Sequence, residues 1–149
     1  MNRSAMLSIV AATAIAAVSI GVAQAQKKAG TAKKVVYISS DHSEFKSPPN
    51  ISEVSMAAVR GDRDKGPHAT FTKFKPGYDA GVHTHTADTT IVGIKGAYLY
   101  KDDDGEKRVG PGDYLFVPGG HKHWSGGDKT EGALFYQEGS GKFDLIPAK

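Results

Sequence analysis

The chain has 149 residues, no cysteine, and a formal net charge of +3 from 19 Lys and Arg set against 16 Asp and Glu. So small a basic excess supplies no field for holding nucleic acid. The lack of thiols excludes disulfide stapling and thiolate zinc sites, leaving His, Asp and Glu as the available metal ligands.

The N-terminus opens with Arg3 and an apolar run over residues 6–22, built from Ala, Ile, Val and Leu with small residues between them. Ala23-Gln24-Ala25 then places small residues at the positions a signal peptidase reads. Residues 1–25 are expected to be a signal peptide cleaved before Gln26, sending the protein to the periplasm or outside the cell. The apolar run is barely long enough to span a bilayer, and no basic cluster directly abuts it, so no membrane attachment is expected after cleavage. Residues 26–34 carry Lys27, Lys28, Lys33 and Lys34 and read as a flexible leader. Residues 35–149 have the size of one domain able to bury its own core.

From residue 35 onward the chain alternates short β-prone segments with Gly, Pro and Asp. Strands are expected over 35–38, 54–59 after the Pro48-Pro49-Asn50 break, 69–74, 89–94, 97–100, 114–117, 133–137 and 143–146. Nothing beyond residue 34 sustains a 3.6-residue apolar period without an internal glycine or proline. Asp102-Asp103-Asp104-Gly105 is a hairpin signal and lacks the spacing of a calcium loop. The expected fold class is all-β, a sandwich or barrel, with Gly77, Gly81, Gly96, Gly112, Gly119 and Gly120 at strand junctions.

The chemistry concentrates in two glycine-punctuated patterns. One runs Gly77, His83-Thr84-His85, Thr89, Gly96; the other runs Gly112, Pro118, Gly120, His123. On a strand, His83 and His85 project to the same face, and His123 would meet them from a neighbouring strand. Three neutral imidazoles so arranged bind a divalent metal and leave positions open for water or substrate. Together the two patterns resemble the two motifs of the cupin family, and more narrowly a group of small single-domain bacterial cupins similar to the cupin domain of zinc-binding anti-sigma factors. The resemblance implies a jelly-roll barrel of double-stranded β-helix type, a His83, His85, His123 metal site, and a homodimer.

The pattern departs from the family at Thr89, where a glutamate ligand is expected. Three readings follow. The site is a three-histidine centre, as the resemblance to acetylacetone dioxygenase and cysteine dioxygenase within the wider superfamily allows. Alternatively, Asp88 supplies a carboxylate through a bulge, although strand alternation opposes this. Or the cavity binds a ligand without metal. His121 is expected beside the ligands in a supporting or exposed role, His68 at the barrel mouth or an exposed strand edge, and His42 on the surface. Phe71, Tyr98 and Trp124 are the aromatics expected to line the pocket.

No Gly-x-Ser-x-Gly, reactive thiol or phosphate-cradling loop is present. The leading functional expectation is an exported mononuclear metalloenzyme of dioxygenase type acting on a small chelating organic molecule. A non-catalytic module that binds or senses a metal or small ligand is the alternative, and a metal-assisted isomerase or lyase lacks an evident base. Iron, zinc, nickel and manganese all suit the ligand set.

Overall fold

Glycine, proline and aspartate break the chain so often that each strand is short, and burial requires two sheets to share one interior. A computed structural model describes residues 34–149. The expected signal peptide of residues 1–25, and the expected leader apart from Lys34, lie outside the described residues. After a 3-10 turn at Ser40–His42, ten strands follow: β1 (Val54–Gly61), β2 (His68–Phe74), β3 (Asp79–Thr84), β4 (Thr89–Gly96), β5 (Tyr98–Asp102), β6 (Gly105–Val109), β7 (Tyr114–Val117), β8 (His123–Gly127), β9 (Ala133–Gly139) and β10 (Ile146–Pro147). They form two five-stranded antiparallel sheets, ordered β1-β2-β9-β4-β7 and β10-β3-β8-β5-β6. Among the described residues no helix is long and apolar enough to cross a membrane.

The all-β expectation holds, and the core shows why. Ile91, Val117, Ala133 and Phe135 of the first sheet meet Tyr98, Tyr100 and Val109 of the second. The Tyr98 and Phe135 rings contact edge to face with centroids 5.0 Å apart, joining the two layers. The hairpin at Asp102 is also present. Asp102 pairs with Gly105, which holds φ +119°, and the Asp104 amide donates to Asp102 Oδ1 at 3.0 Å.

Several strand expectations are corrected. Residues 35–38 form no strand, and Val36 and Tyr37 lie exposed. Their β-branched composition supplies propensity, but no neighbouring strand receives them. Only Ile146 and Pro147 of the C-terminal segment pair, with Thr84 and His83. Three strands are missing from the ranges expected on composition, β3 (DAGVHT), β6 (GEKRV) and β8 (HWSGG), although the histidine spacing and the Asp102–Gly105 hairpin had placed strands there. Glycine, charge and histidine hide their strand character, which cross-strand ladders impose.

Candidate metal centre

Strand pairing brings the three histidines together. β3 and β8 are antiparallel neighbours with His83 directly opposite His123, so both side chains leave the same face. A register shift between Asp79 and Val82, at Gly81 with φ +70°, precedes the pair. It leaves Val82 and Trp124 facing outward and His83 and His123 inward, at 1% and 2% exposure. His85 follows β3 directly. The ring centroids lie 4.4 Å (His83–His123), 4.9 Å (His83–His85) and 5.5 Å (His85–His123) apart. One ring nitrogen from each falls within 4.8 Å of the others.

The tautomers are set by backbone. Nδ1 of His83 meets the Gly81 carbonyl at 2.9 Å, Nδ1 of His123 meets the His121 carbonyl at 3.0 Å, and Nδ1 of His85 meets the Asp144 carbonyl. A carbonyl only accepts, so each Nδ1 carries the proton and each Nε2 presents a lone pair. Burial lowers all three imidazole pKa values below the ordinary range, although the carbonyl bonds act in the opposite direction. The rings are therefore neutral at pH 7, the form a metal requires. Three oriented, neutral nitrogen donors fit a divalent metal.

One turn and a C-terminal strap hold these histidines in place. In Pro118-Gly119-Gly120, the Gly120 amide donates to the His85 carbonyl at 2.7 Å, and the Gly119 amide donates to Asp88 Oδ1 at 2.8 Å. The C-terminal segment 140–145 forms a strap on the other side. Asp144 accepts from the Thr86 amide at 2.8 Å and the Thr86 hydroxyl at 2.5 Å, while its own carbonyl orients His85. The Phe143 ring lies 5.3 Å from the His85 ring, and the Phe143 amide donates to the Arg63 carbonyl at 2.8 Å.

The histidines open into a cavity of about 360 Å³. Its walls are mainly apolar, with Ile91, Phe135, Phe143 and Leu145 among them, and Thr72, Ser125 and Gln137 add polar groups. Tyr98 also lines it, and burial pushes the phenol up to about 12, so it remains a neutral hydroxyl.

Thr89 is buried on the cavity wall, so the position of the family's glutamate is occupied by a hydroxyl. Asp88 stands outside the three-histidine cluster. It is exposed, and its carboxylate holds the Gly119 amide, as strand alternation requires. Phe71 and Trp124 do not line the cavity. Phe71 packs against Tyr136 on the outer face of its sheet, and the Trp124 indole donates to Asp79 Oδ1 at 2.6 Å. His121 serves His123 through its carbonyl, while its ring faces Asp102 at 3.1 Å. Asp102 also accepts from Tyr100, whose ring stacks on His123 at 5.2 Å. Tyr100 supports that ligand, yet nothing in the sequence singled it out for this role. His68 is 3% exposed rather than at a mouth or edge, its Nδ1 lying 3.1 Å from both the Gly66 and Gly141 carbonyls. His42 is exposed, as expected.

Sequence reasoning also missed Thr72, Ser125, Gln137, Arg63 and Phe143 at the cavity. Ser125 was recoverable as the alternate residue after His123, and Thr72 and Gln137 by treating a polar inward face as a sign of a cavity. Arg63 and Phe143 lie in connecting segments distant in sequence, where no periodicity speaks.

An antiparallel β-sandwich with histidines gathered inside is the architecture of a cupin. The chain belongs to the family described as a domain of unknown function, DUF4437, whose model matches residues 36–149. Solved structures share the fold. The polyketide cyclase RemF from Streptomyces resistomycificus is 15% identical with TM-score 0.63, over 78% of this chain and 87% of that one. A protein of unknown function with a cupin-like fold from Ralstonia eutropha is 21% identical with TM-score 0.63, over 78% and 79%. KdgF from a Halomonas species is 17% identical with TM-score 0.56, over 70% and 94%. No curated protein matches the chain in sequence.

Proposed function

We propose that the chain is an exported three-histidine metalloprotein, an oxygenase-like enzyme acting on a small chelating organic molecule. The observation that carries this reading is the convergence of three neutral Nε2 donors, each oriented by a backbone carbonyl, on one largely apolar cavity. A divalent ion held by His83, His85 and His123 would supply Lewis acidity and, as iron, a redox centre with open positions. The chain's own residues do the rest. Gly81, His121 and Asp144 keep the ligand tautomers fixed, Ile91, Phe135 and Phe143 exclude water, and Tyr98 offers a hydroxyl that stays protonated. The likeness to a polyketide cyclase is compatible with a small organic ligand. Export rests on the pattern of residues 1–25, and pairing of two copies on the family resemblance. Cell fractionation and sedimentation test those two proposals.

One observation favours a second reading, a metal-dependent binding or sensing module. None of the residues lining the cavity is Asp or Glu, so no carboxylate base stands beside a bound molecule. Zinc or nickel would suit that role as well as iron suits the first.

Elemental analysis of the protein purified without a histidine tag or added metal separates the two readings. Near-stoichiometric iron, with oxygen uptake on adding a β-diketone, supports the enzyme. Zinc or nickel without turnover supports the binding module. His83→Ala, His85→Ala and His123→Ala are each expected to lose the metal. Full metal content in any of them, or no metal in the parent after reconstitution, overturns the site.

A further inference from the structure

We propose that this cavity selects a small organic anion, and that Arg63 is the residue that recognises its anionic group. The inference rests on reading the cavity as the substrate site and adds the chemical class of what enters it.

Arg63 lies between β1 and β2 and lines the same cavity as the three histidines. It is half-buried, yet among the described residues no carboxylate comes within ion-pair distance of its guanidinium. Asp64, its chain neighbour, acts on it only through space. The guanidinium lies over the Phe143 ring, with Cζ 4.0 Å from its centroid. Stacking on a ring leaves the planar edge free, and that edge presents paired N–H donors matching a carboxylate or an enolate. The position is also fixed, because the Arg63 carbonyl accepts from the Phe143 amide at 2.8 Å, tying the loop to the C-terminal strap.

Charge points the same way. The lining contains the Arg63 guanidinium and three neutral histidines, with no Asp or Glu to pair with that guanidinium. A partly desolvated cation without a partner is costly, and burial accordingly pulls the Arg63 pKa down. A ligand that brings its own negative charge relieves that cost, whereas a neutral analogue leaves the guanidinium unpaired. With a volume of about 360 Å³ and mainly apolar walls, the cavity favours a compact anion with a hydrocarbon body.

The test is calorimetric titration of 3-phenylpropionate and its uncharged amide, 3-phenylpropionamide, into metal-free and zinc-loaded protein. The parent chain, Arg63→Gln, Arg63→Lys and His83→Ala are compared. The metal-free parent is expected to bind the carboxylate about tenfold or more tighter than the amide. That preference disappears in Arg63→Gln, persists in part in Arg63→Lys, and persists in His83→Ala, while Arg63→Gln keeps its zinc content. A preference that survives in Arg63→Gln overturns the inference, as does no binding of the carboxylate at about 10 mM. So does a preference that appears only with zinc and vanishes in His83→Ala. An Arg63-dependent preference in a protein that takes up no zinc sustains the inference while removing the metal reading, so the two failures are told apart.

Discussion

Thr89 occupies the cavity wall where the cupin pattern places a glutamate, and its neutral hydroxyl leaves three imidazoles as the candidate ligand group among the described residues. A carboxylate there would neutralise part of a bound cation's charge and add a fourth donor. Thr89→Glu is therefore expected to bind zinc more tightly than the parent, by about tenfold, and to release it more slowly to a chelator. Competition against a chromophoric chelator measures both quantities. Unchanged affinity would mean that position 89 does not face the metal. The same residue shows what local reading can achieve. Thr89 was identifiable by its place in the pattern, and Asp88 was disfavoured because adjacent strand residues face opposite sides; it lies exposed with its carboxylate on the Gly119 amide. Phe71 and Trp124 do not line the cavity: Phe71 was placed there for its aromatic ring, and Trp124 for following His123 directly, where strand alternation turns it to the opposite face. Here the inward neighbours are Thr70, Thr72, His123 and Ser125, polar because they line or border a cavity.

The turns and the strap decide whether the ligands stay in place. A methyl group added at Gly119 would sit 2.4 Å from the Thr86 carbonyl oxygen, so the turn carrying His123 and the segment after His85 cannot both hold position. Gly119→Ala is expected to cost about 1–3 kcal/mol of stability and to weaken zinc binding, read by urea denaturation and zinc titration of the same variant. Loss of stability with unchanged zinc affinity would show that the turn does not position His85. At the β8–β9 connection, Asp128 Oδ1 accepts from the Thr130 and Glu131 amides at 2.9 and 3.0 Å, and Arg108 adds an ion pair at 3.3 Å. Those bonds hold its pKa below the usual carboxylate value, the Glu131 amide first. The stabilisation is thus complete above the unfolded-state pKa of about 3.9 and is lost as pH falls through the lower folded value. Asp128→Asn should be less stable than the parent at about pH 6, with the gap closing toward about pH 2. Denaturant midpoints at the two pH values check this, and a gap independent of pH would contradict it.

Across the whole molecule, the histidines connect parts that are far apart in sequence: β3, β8 and, through the Asp144 carbonyl, the C-terminal strap. An ion bound there stabilises the folded state by mass action, about 2.7 kcal/mol when free metal stands at a hundred times Kd. Chelator is expected to lower the melting temperature of the zinc-loaded parent and to leave His123→Ala unchanged. An equal shift in both would place the bound metal elsewhere. Much of this architecture was legible in the sequence, for stated reasons. The β-rich segments with their glycine and aspartate breaks implied an all-β sandwich or barrel, and the spacing of His83, His85 and His123 marked the candidate site. The chain alone thus determined the fold class, the three histidines of the candidate site and the threonine at the glutamate position, because local periodicity and residue chemistry are written in neighbouring positions. The tertiary structure decided the rest. Pairing His83 across from His123, burying Thr72 and Gln137 on a polar inner face, orienting His85 from Asp144 and placing Arg63 beside Phe143 all depend on contacts between distant segments. Such contacts are set by strand register and packing, which no local pattern encodes.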